Sequence, residues 1–351
     1  MALDTKFDPK ELEISRTVPF AFGDPIKLFT TPITFKENMM RLYEGKTPMW
    51  TPFAFGETTM YMVSVDPENQ ARSPEGGIDG YGVEWTFVPS AGGAMVKPGD
   101  PKILDINHWE DYVTIPDPDT WDWEKAKAEL DAIRTDDMAT IIAVPGCLFE
   151  RLIACMDFMY AAMALIDDEQ KEGVHRFLRA VTEVHKKFYK NVKKYLNPEI
   201  VNWNDDWGSQ RAEFFSVETA REMLFPYVKE VGDLVHELGF YFDLHSCGFV
   251  EGFVPMFIEE GFNSWGGQPM NDKAKLKEQY GDKMIFTIHV ELPMDATEEE
   301  MDKAVEEFIT GPGADNRCLV SCMGPAALRE KIYAASRKNY DRLLAEGKVI
   351  G

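Results

Sequence analysis

The chain has 351 residues, 44% of them hydrophobic, and a formal net charge of −23. A surface this acidic excludes nucleic acid as a partner, since phosphate binding needs basic side chains, and it disfavours docking on an anionic membrane. The five cysteines (Cys147, Cys155, Cys247, Cys318 and Cys322) are too few and too scattered for a disulfide framework. They fit a reducing compartment, and the expectation is a soluble, cytoplasmic protein.

The N-terminal residues lack the apolar run of a signal peptide. Residues 1–32 mix charge, Pro and Phe and are expected to form an N-terminal arm, leaving 33–351 as one domain. Thr34 stands three residues before Glu37, the capping-box spacing, which predicts a helix to about Tyr43, ended by Gly45. Pro48 to Phe53 reads as a short strand and turn. Residues 54–118 have no helical periodicity and are rich in Gly, Pro and aromatics. So long an irregular segment predicts a lid or pocket wall, or a small β-meander packed on the domain. Gly92, Gly93 and Gly99 are read there as turn residues.

From Trp121 the chain becomes regular. A helix over about 123–134 precedes a buried strand, Ala139 to Val144, which ends at Pro145. Phe149 to Ile166 is the most apolar long stretch, but Glu150, Arg151 and Asp157 mark it as a buried helix and not a membrane span. A second long helix runs over about 168–195. Strands are then expected at Ile200–Trp203, Phe240–Leu244, Met284–Ile288 and Cys318–Ser321, with a short one near Trp265. Helices are expected at about 217–238, 249–260, 272–279, 297–309 and 325–345. This β-α alternation predicts a parallel sheet covered by helices, and the strand count favours a (β/α)8 TIM barrel. No Gly-rich phosphate fingerprint opens the first βα turn, which argues against a dinucleotide-binding sheet.

In such a barrel the residues just after the strands converge on one face. Asp205, Asp206, His245, Cys247, His289, Glu291 and Cys322 all occupy those positions. His245 and Cys247 lie two apart at a strand end and so share a face. With Cys322 from a later strand they make a His/Cys/Cys set, which suits zinc. Cys318 competes for the third place but sits deeper in its strand. Asp205 and Asp206 suit an orienting carboxylate, or a simple turn cap. His289 and Glu291 suit a fourth ligand or a proton donor to a leaving group. Phe53, Phe55, Trp85, Trp203, Trp207 and Trp265 cluster near the same rim. They are either core or a platform for a flat, apolar substrate.

These residues resemble the zinc-dependent corrinoid methyltransferases of the uroporphyrinogen decarboxylase superfamily. The resemblance runs from about residue 33 onward. It is carried by Pro48-Met49-Trp50, Asn204-Asp205-Asp206-Trp207-Gly208, Leu244-His245-Ser246-Cys247-Gly248, Gln268-Pro269 and Ser321-Cys322-Met323-Gly324. The run from Glu278 to Lys283, followed by a strand and an acidic helix, is also similar. The resemblance implies a (β/α)8 barrel, a zinc ion on His245, Cys247 and Cys322, and a corrinoid brought by a partner protein. The decarboxylase branch carries arginines after the early Trp, where this chain reads Thr51-Pro52-Phe53-Ala54-Phe55-Gly56, so decarboxylation of a porphyrin is disfavoured. The long segment 54–118 is more similar to the methyltransferases of anaerobic O-demethylases, which move a methyl group from a methoxyarene to cobalt(I). The main rival is the reverse polarity, from a methylcorrinoid to a thiol. A binding protein with a structural zinc is the non-enzymatic alternative.

Overall fold

The computed structural model describes residues 5–20, 23–91, 93–144 and 146–351. Gly92, read as a turn residue, and Pro145, read as the end of a strand, lie outside them. Twelve strands follow in chain order: β1 (Ile14–Val18), β2 (Ile26–Phe29), β3 (Thr58–Met62), β4 (Gly77–Ile78), β5 (Glu84–Val88), β6 (Gly93–Val96), β7 (Ala139–Ala143), β8 (Ile200–Asn204), β9 (Tyr241–His245), β10 (Ser264–Trp265), β11 (Ile285–Glu291) and β12 (Leu319–Met323). Two sets of parallel strands, β7 to β9 and β10 to β12, carry the α/β part of the fold. Two compact units can be distinguished in the chain.

The first unit comprises the chain up to Thr59, Arg134–Thr140 and Asn263–Gly351. In it β10, β11 and β12 pair in parallel, in chain order. The helices Lys273–Tyr280, Glu298–Thr310 and Ala326–Ala345 connect or follow these strands, as the alternation predicts. Thr34 does cap the helix Phe35–Tyr43, its hydroxyl accepting the Glu37 N–H at 3.0 Å. The expected strand at Trp50 does not form. Phe53 meets Val320 of β12 in one isolated parallel bridge, and Pro48 and Pro52 supply no N–H to extend a ladder. The eight strands of a (β/α)8 barrel are therefore not all present among the described residues, although the α/β class is.

The described residues of the N-terminal arm belong to this unit. Its strands β1 and β2 form an antiparallel pair. Glu11 is buried and receives Arg337 Nε at 2.8 Å and the Tyr333 hydroxyl at 2.7 Å. A buried carboxylate is tolerated because a guanidinium and a phenol pair with it.

The second unit comprises Met60–Ile133 and Ile141–Phe262. Here β7, β8 and β9 pair in parallel, again in chain order. The segment read as irregular contains a three-stranded antiparallel meander, β4-β5-β6, which was the plainer of its two readings. Arg151 holds it in place from the helix Leu148–Met156. Its fully buried guanidinium pairs with Glu68 and, at 2.6 Å, with Asp79, and it stacks on the Tyr81 ring. The apolar stretch after Phe149 is two helices, because Asp157 adopts a φ of 68° between Leu148–Met156 and Phe158–Ala164. No helix among the described residues is long and apolar enough to cross a membrane.

Candidate metal centre

The C-terminal ends of β8 and β9 lie side by side, with Asn204 in register with His245. The Asp205 N–H donates to the His245 carbonyl at 3.1 Å, which carries the ladder one residue beyond the strands. The two loops that follow are then locked together. Gly248 has a φ of 84°, a left-handed conformation that favours glycine. A Cβ there would run into the Gly208 carbonyl, and one on Gly208 would run into the Phe249 carbonyl. The glycines that close the Asp-Asp-Trp-Gly and His-Ser-Cys-Gly motifs thus permit the close approach of their loops. The Phe249 N–H reinforces it by donating to the Ser209 carbonyl at 2.7 Å.

That approach brings three donors of different chemistry together. The ligand atoms of Asp206, His245 and Cys247 all lie within 4.8 Å of one another. His245, the last residue of β9, has its Nε2 3.2 Å from Sγ of Cys247, which lies in the loop just beyond the strand. The Asp206 carboxylate accepts the Cys247 N–H at 2.7 Å. Donors around a tetrahedral zinc stand about 3.5 Å apart, given metal–ligand bonds of about 2.0–2.3 Å. Imidazole, thiolate and carboxylate are all zinc ligands, so the donor set fits that metal. The electrostatics fit as well. Burial, and then Asp206 and Glu150, push the Cys247 thiol up to about 12. Burial and the Asp206 charge also raise Glu150 well above the ordinary carboxylate range. A bound cation reverses both effects, because a coordinating thiol is deprotonated outright.

Asp205 has a different task from Asp206. It is buried, and its carboxylate accepts the N–H groups of Phe149 at 3.1 Å and Glu150 at 2.9 Å and the Trp207 indole N–H at 2.9 Å. It therefore caps the start of the helix Leu148–Met156 from the neighbouring strand end. Burial lifts its carboxyl to about 6 despite these bonds.

The first unit holds the other predicted residues. Cys322 is on β12, where burial pushes its thiol up to about 11 against the pull of Arg329. Cys318 is fully buried and lies just before β12 rather than within it. His289 and Glu291 do share a face at the end of β11, with Nδ1 and Oε1 3.0 Å apart. Parallel register sets Val290 beside Cys322, with His289 beside Ser321 and Glu291 beside Met323. The His289/Glu291 pair therefore points to the opposite side of this sheet from Cys322.

Of the six aromatics read as a possible platform, five are buried in the core. Trp203 packs on His185 and Phe242, and Trp207 on Phe215, Phe253 and Phe257. The Trp85 indole is committed to Asp79. Phe53 lies under the Arg329 guanidinium at 3.8 Å, and Trp265 is fully buried. Phe55 alone is exposed, at 37%. Two residues escaped the sequence reading. Glu150 is found only once Asp205 ties its helix to the strand end. Lys273, buried beside His289, looks in sequence like any helix-surface lysine.

No family model matches the chain, and no curated protein sequence does. Among solved structures, a methyltransferase from Methanosarcina mazei is similar over 89% of this chain and 99% of its own, with 14% identity and a TM-score of 0.56. At that identity the likeness shows a shared fold. The IOLI protein with a bound zinc atom is similar over 63% of this chain and 78% of its own, at 12% identity, with a TM-score of only 0.34.

Proposed function

We propose that this chain is a zinc-dependent methyltransferase that passes a methyl group from a methoxylated aromatic to the cobalt(I) corrinoid of a partner protein. The observation that carries the reading is the meeting of Asp206, His245 and Cys247 at two neighbouring strand ends, within 4.8 Å. The fold likeness to a methyltransferase is in keeping with it. His245 and Cys247 hold the metal in this proposal. Cys322 enters as a further ligand on the strength of the sequence resemblance, and Asp206 either joins the ligands or orients them.

Zinc held there supplies the Lewis acidity that an aryl methyl ether requires, since phenolate is a poor leaving group. The chain's own residues prepare the place. Asp206 fixes the Cys247 backbone through its 2.7 Å bond, so the thiol keeps its distance from the imidazole. Asp205 and Trp207 brace the loop from behind. The buried Trp207 side chain, bonded to Asp205, keeps water from that side of the loop.

The test is to incubate the zinc-loaded protein with reduced cobalamin and a panel of methoxyarenes, following the loss of the cobalt(I) spectrum. Methylation of cobalt from a methoxyarene supports the proposal. No methylation from any of them, together with demethylation of methylcobalamin by a thiol, overturns it in favour of the reverse direction.

A further inference from the structure

A second cluster of chemically active side chains lies wholly within the first unit and contains none of the proposed metal ligands. Lys273 begins the helix Lys273–Tyr280 and is only 4% exposed. Its Nζ lies 2.7 Å from the Gly266 carbonyl, 3.1 Å from the Gly267 carbonyl and 2.6 Å from His289 Nε2. A lysine ammonium has three N–H donors and no lone pair, so three donors meet three acceptors one for one. His289 Nε2 also lies 3.3 Å from the Gly267 carbonyl, but Nδ1 faces the Glu291 carboxylate, which can only accept, so Nδ1 needs the proton and Nε2 accepts from Lys273. The ring proton therefore sits on Nδ1, 3.0 Å from Glu291 Oε1. Glu291 is the last residue of β11, and its side chain is 44% exposed. In α/β folds, ligands meet the sheet at the carboxyl ends of parallel strands.

We propose that Lys273 is a positioning residue that fixes the tautomer of His289, and that Glu291 is thereby a general base for a ligand carrying a weakly acidic O–H or S–H group. With His289 Nδ1–H donating to Oε1, Glu291 offers its second oxygen to the ligand. The ligand O–H or S–H bond breaks, a bond to Glu291 Oε2 forms, and the ligand is left as an oxyanion or thiolate. His289 lines a cleft of about 380 Å³ together with Pro269, Met270, Asn271, Lys273 and Ile288. Half of the lining is polar (Asn271, Asp272, Lys273 and His289), and Glu291 stands beside it through its contact with His289, so the cleft suits a small molecule that carries hydrogen-bonding groups.

The arrangement is built beyond what a structural tie needs. A lysine that served only to hold the Gly266–Gly267 turn would need the two carbonyls alone. Here an imidazole is placed between the buried ammonium and an exposed carboxylate. Gly267 has a φ of 47°, and a Cβ there would meet the Trp265 indole at 2.5–2.8 Å, so the turn that presents these carbonyls demands glycine. Burial draws the Lys273 amine down to about 7. The strand packed against its helix is β11, whose titratable groups are His289 and Glu291, and Asp272 caps the helix itself. The tautomer is therefore fixed most firmly below about pH 7. Neither the metal nor methyl transfer is needed for this role.

The test uses the full chain labelled with 15N-histidine at pH 6, with His289 assigned by its loss in His289→Gln. Two-bond 15N–1H correlations should show an Nδ1–H tautomer in the wild type and in Lys273→Arg, and its loss in Lys273→Met. Phenol should perturb the His289 nitrogens and bind at least about tenfold more tightly than anisole, which has the same ring and no O–H. Glu291→Gln, at an exposed position that tolerates the change, should abolish that preference. An Nε2–H tautomer or an imidazolium in the wild type overturns the proposal. So does phenol binding no better than anisole. Should Lys273→Met fail to fold, Lys273→Arg and Glu291→Gln decide the question.

Discussion

The Cys247 backbone N–H donates to the Asp206 carboxylate at 2.7 Å, while that same carboxylate stands among the donors around the Cys247 thiol. One aspartate thus anchors the loop that carries the thiol and contributes charge to the cluster. Asp206→Ala removes both, and zinc affinity is expected to fall by about 10–100-fold. Asp206→Asn keeps an acceptor for the Cys247 N–H and should fall less. Competition with a chromophoric zinc chelator measures both variants.

Gly248 occupies a left-handed conformation against the Gly208 carbonyl. Gly248→Ala is expected to displace the Cys247 loop, costing about 1–3 kcal/mol of stability and most of the bound zinc. Urea unfolding and metal analysis of the same preparation check the two effects together. Retention of full zinc with unchanged stability would show that the loops do not depend on this contact.

Much of this was legible in the sequence for physical reasons. The β-α alternation placed β7, β8, β9, β11 and β12 within a few residues, because buried parallel strands are short, apolar and bounded by turns. The His-x-Cys pair does meet, although Cys247 lies beyond the end of β9 and is brought to His245 by a loop whose backbone Asp206 holds. The role of Asp206 beside the thiol was less legible, since Asp205 and Asp206 are chemically identical in sequence and part company only through their partners. Asp205 turns to Phe149 and Glu150, while Asp206 turns to Cys247. The strand expected at Trp50 failed because prolines on both sides leave too few donors. The aromatics misled in the same way that aromatics often do, since Trp203 and Trp207 fill a core as readily as they line a pocket.

Arg151 is expected to be the most sensitive residue of the second unit. Arg151→Met leaves the buried carboxylates of Glu68 and Asp79 without their guanidinium. Loss of one partner of a buried ion pair costs about 3–5 kcal/mol. Chemical denaturation should show this loss, and the meander β4-β5-β6 should gain amide exchange before the rest of the unit.

Glu57 gives the first unit a pH dependence. It is 2% exposed and accepts the Trp50 indole N–H at 3.1 Å and the Phe53 N–H at 3.1 Å. Burial lifts its carboxyl to about 7, opposed by Arg329. A folded-state value raised above the unfolded one means that Glu57's contribution is fully present below about pH 4.5 and is lost as pH rises through about 7. Glu57→Gln does not ionise. Relative to the wild type it should gain about 3 kcal/mol between about pH 4.5 and about pH 8, because each tenfold difference in proton affinity between the folded and unfolded carboxyl is worth about 1.4 kcal/mol. Denaturant melts of both proteins across that range check the sign as well as the size.

Zinc-edge X-ray absorption of the metal-loaded protein tests most directly whether Asp206, His245 and Cys247 build a zinc site. The expected shell contains sulfur at about 2.3 Å together with nitrogen or oxygen at about 2.0–2.2 Å. The sulfur contribution should weaken in Cys247→Ala. A protein that binds no zinc, or one whose zinc shell contains no sulfur and is unchanged in Cys247→Ala, would contradict that site.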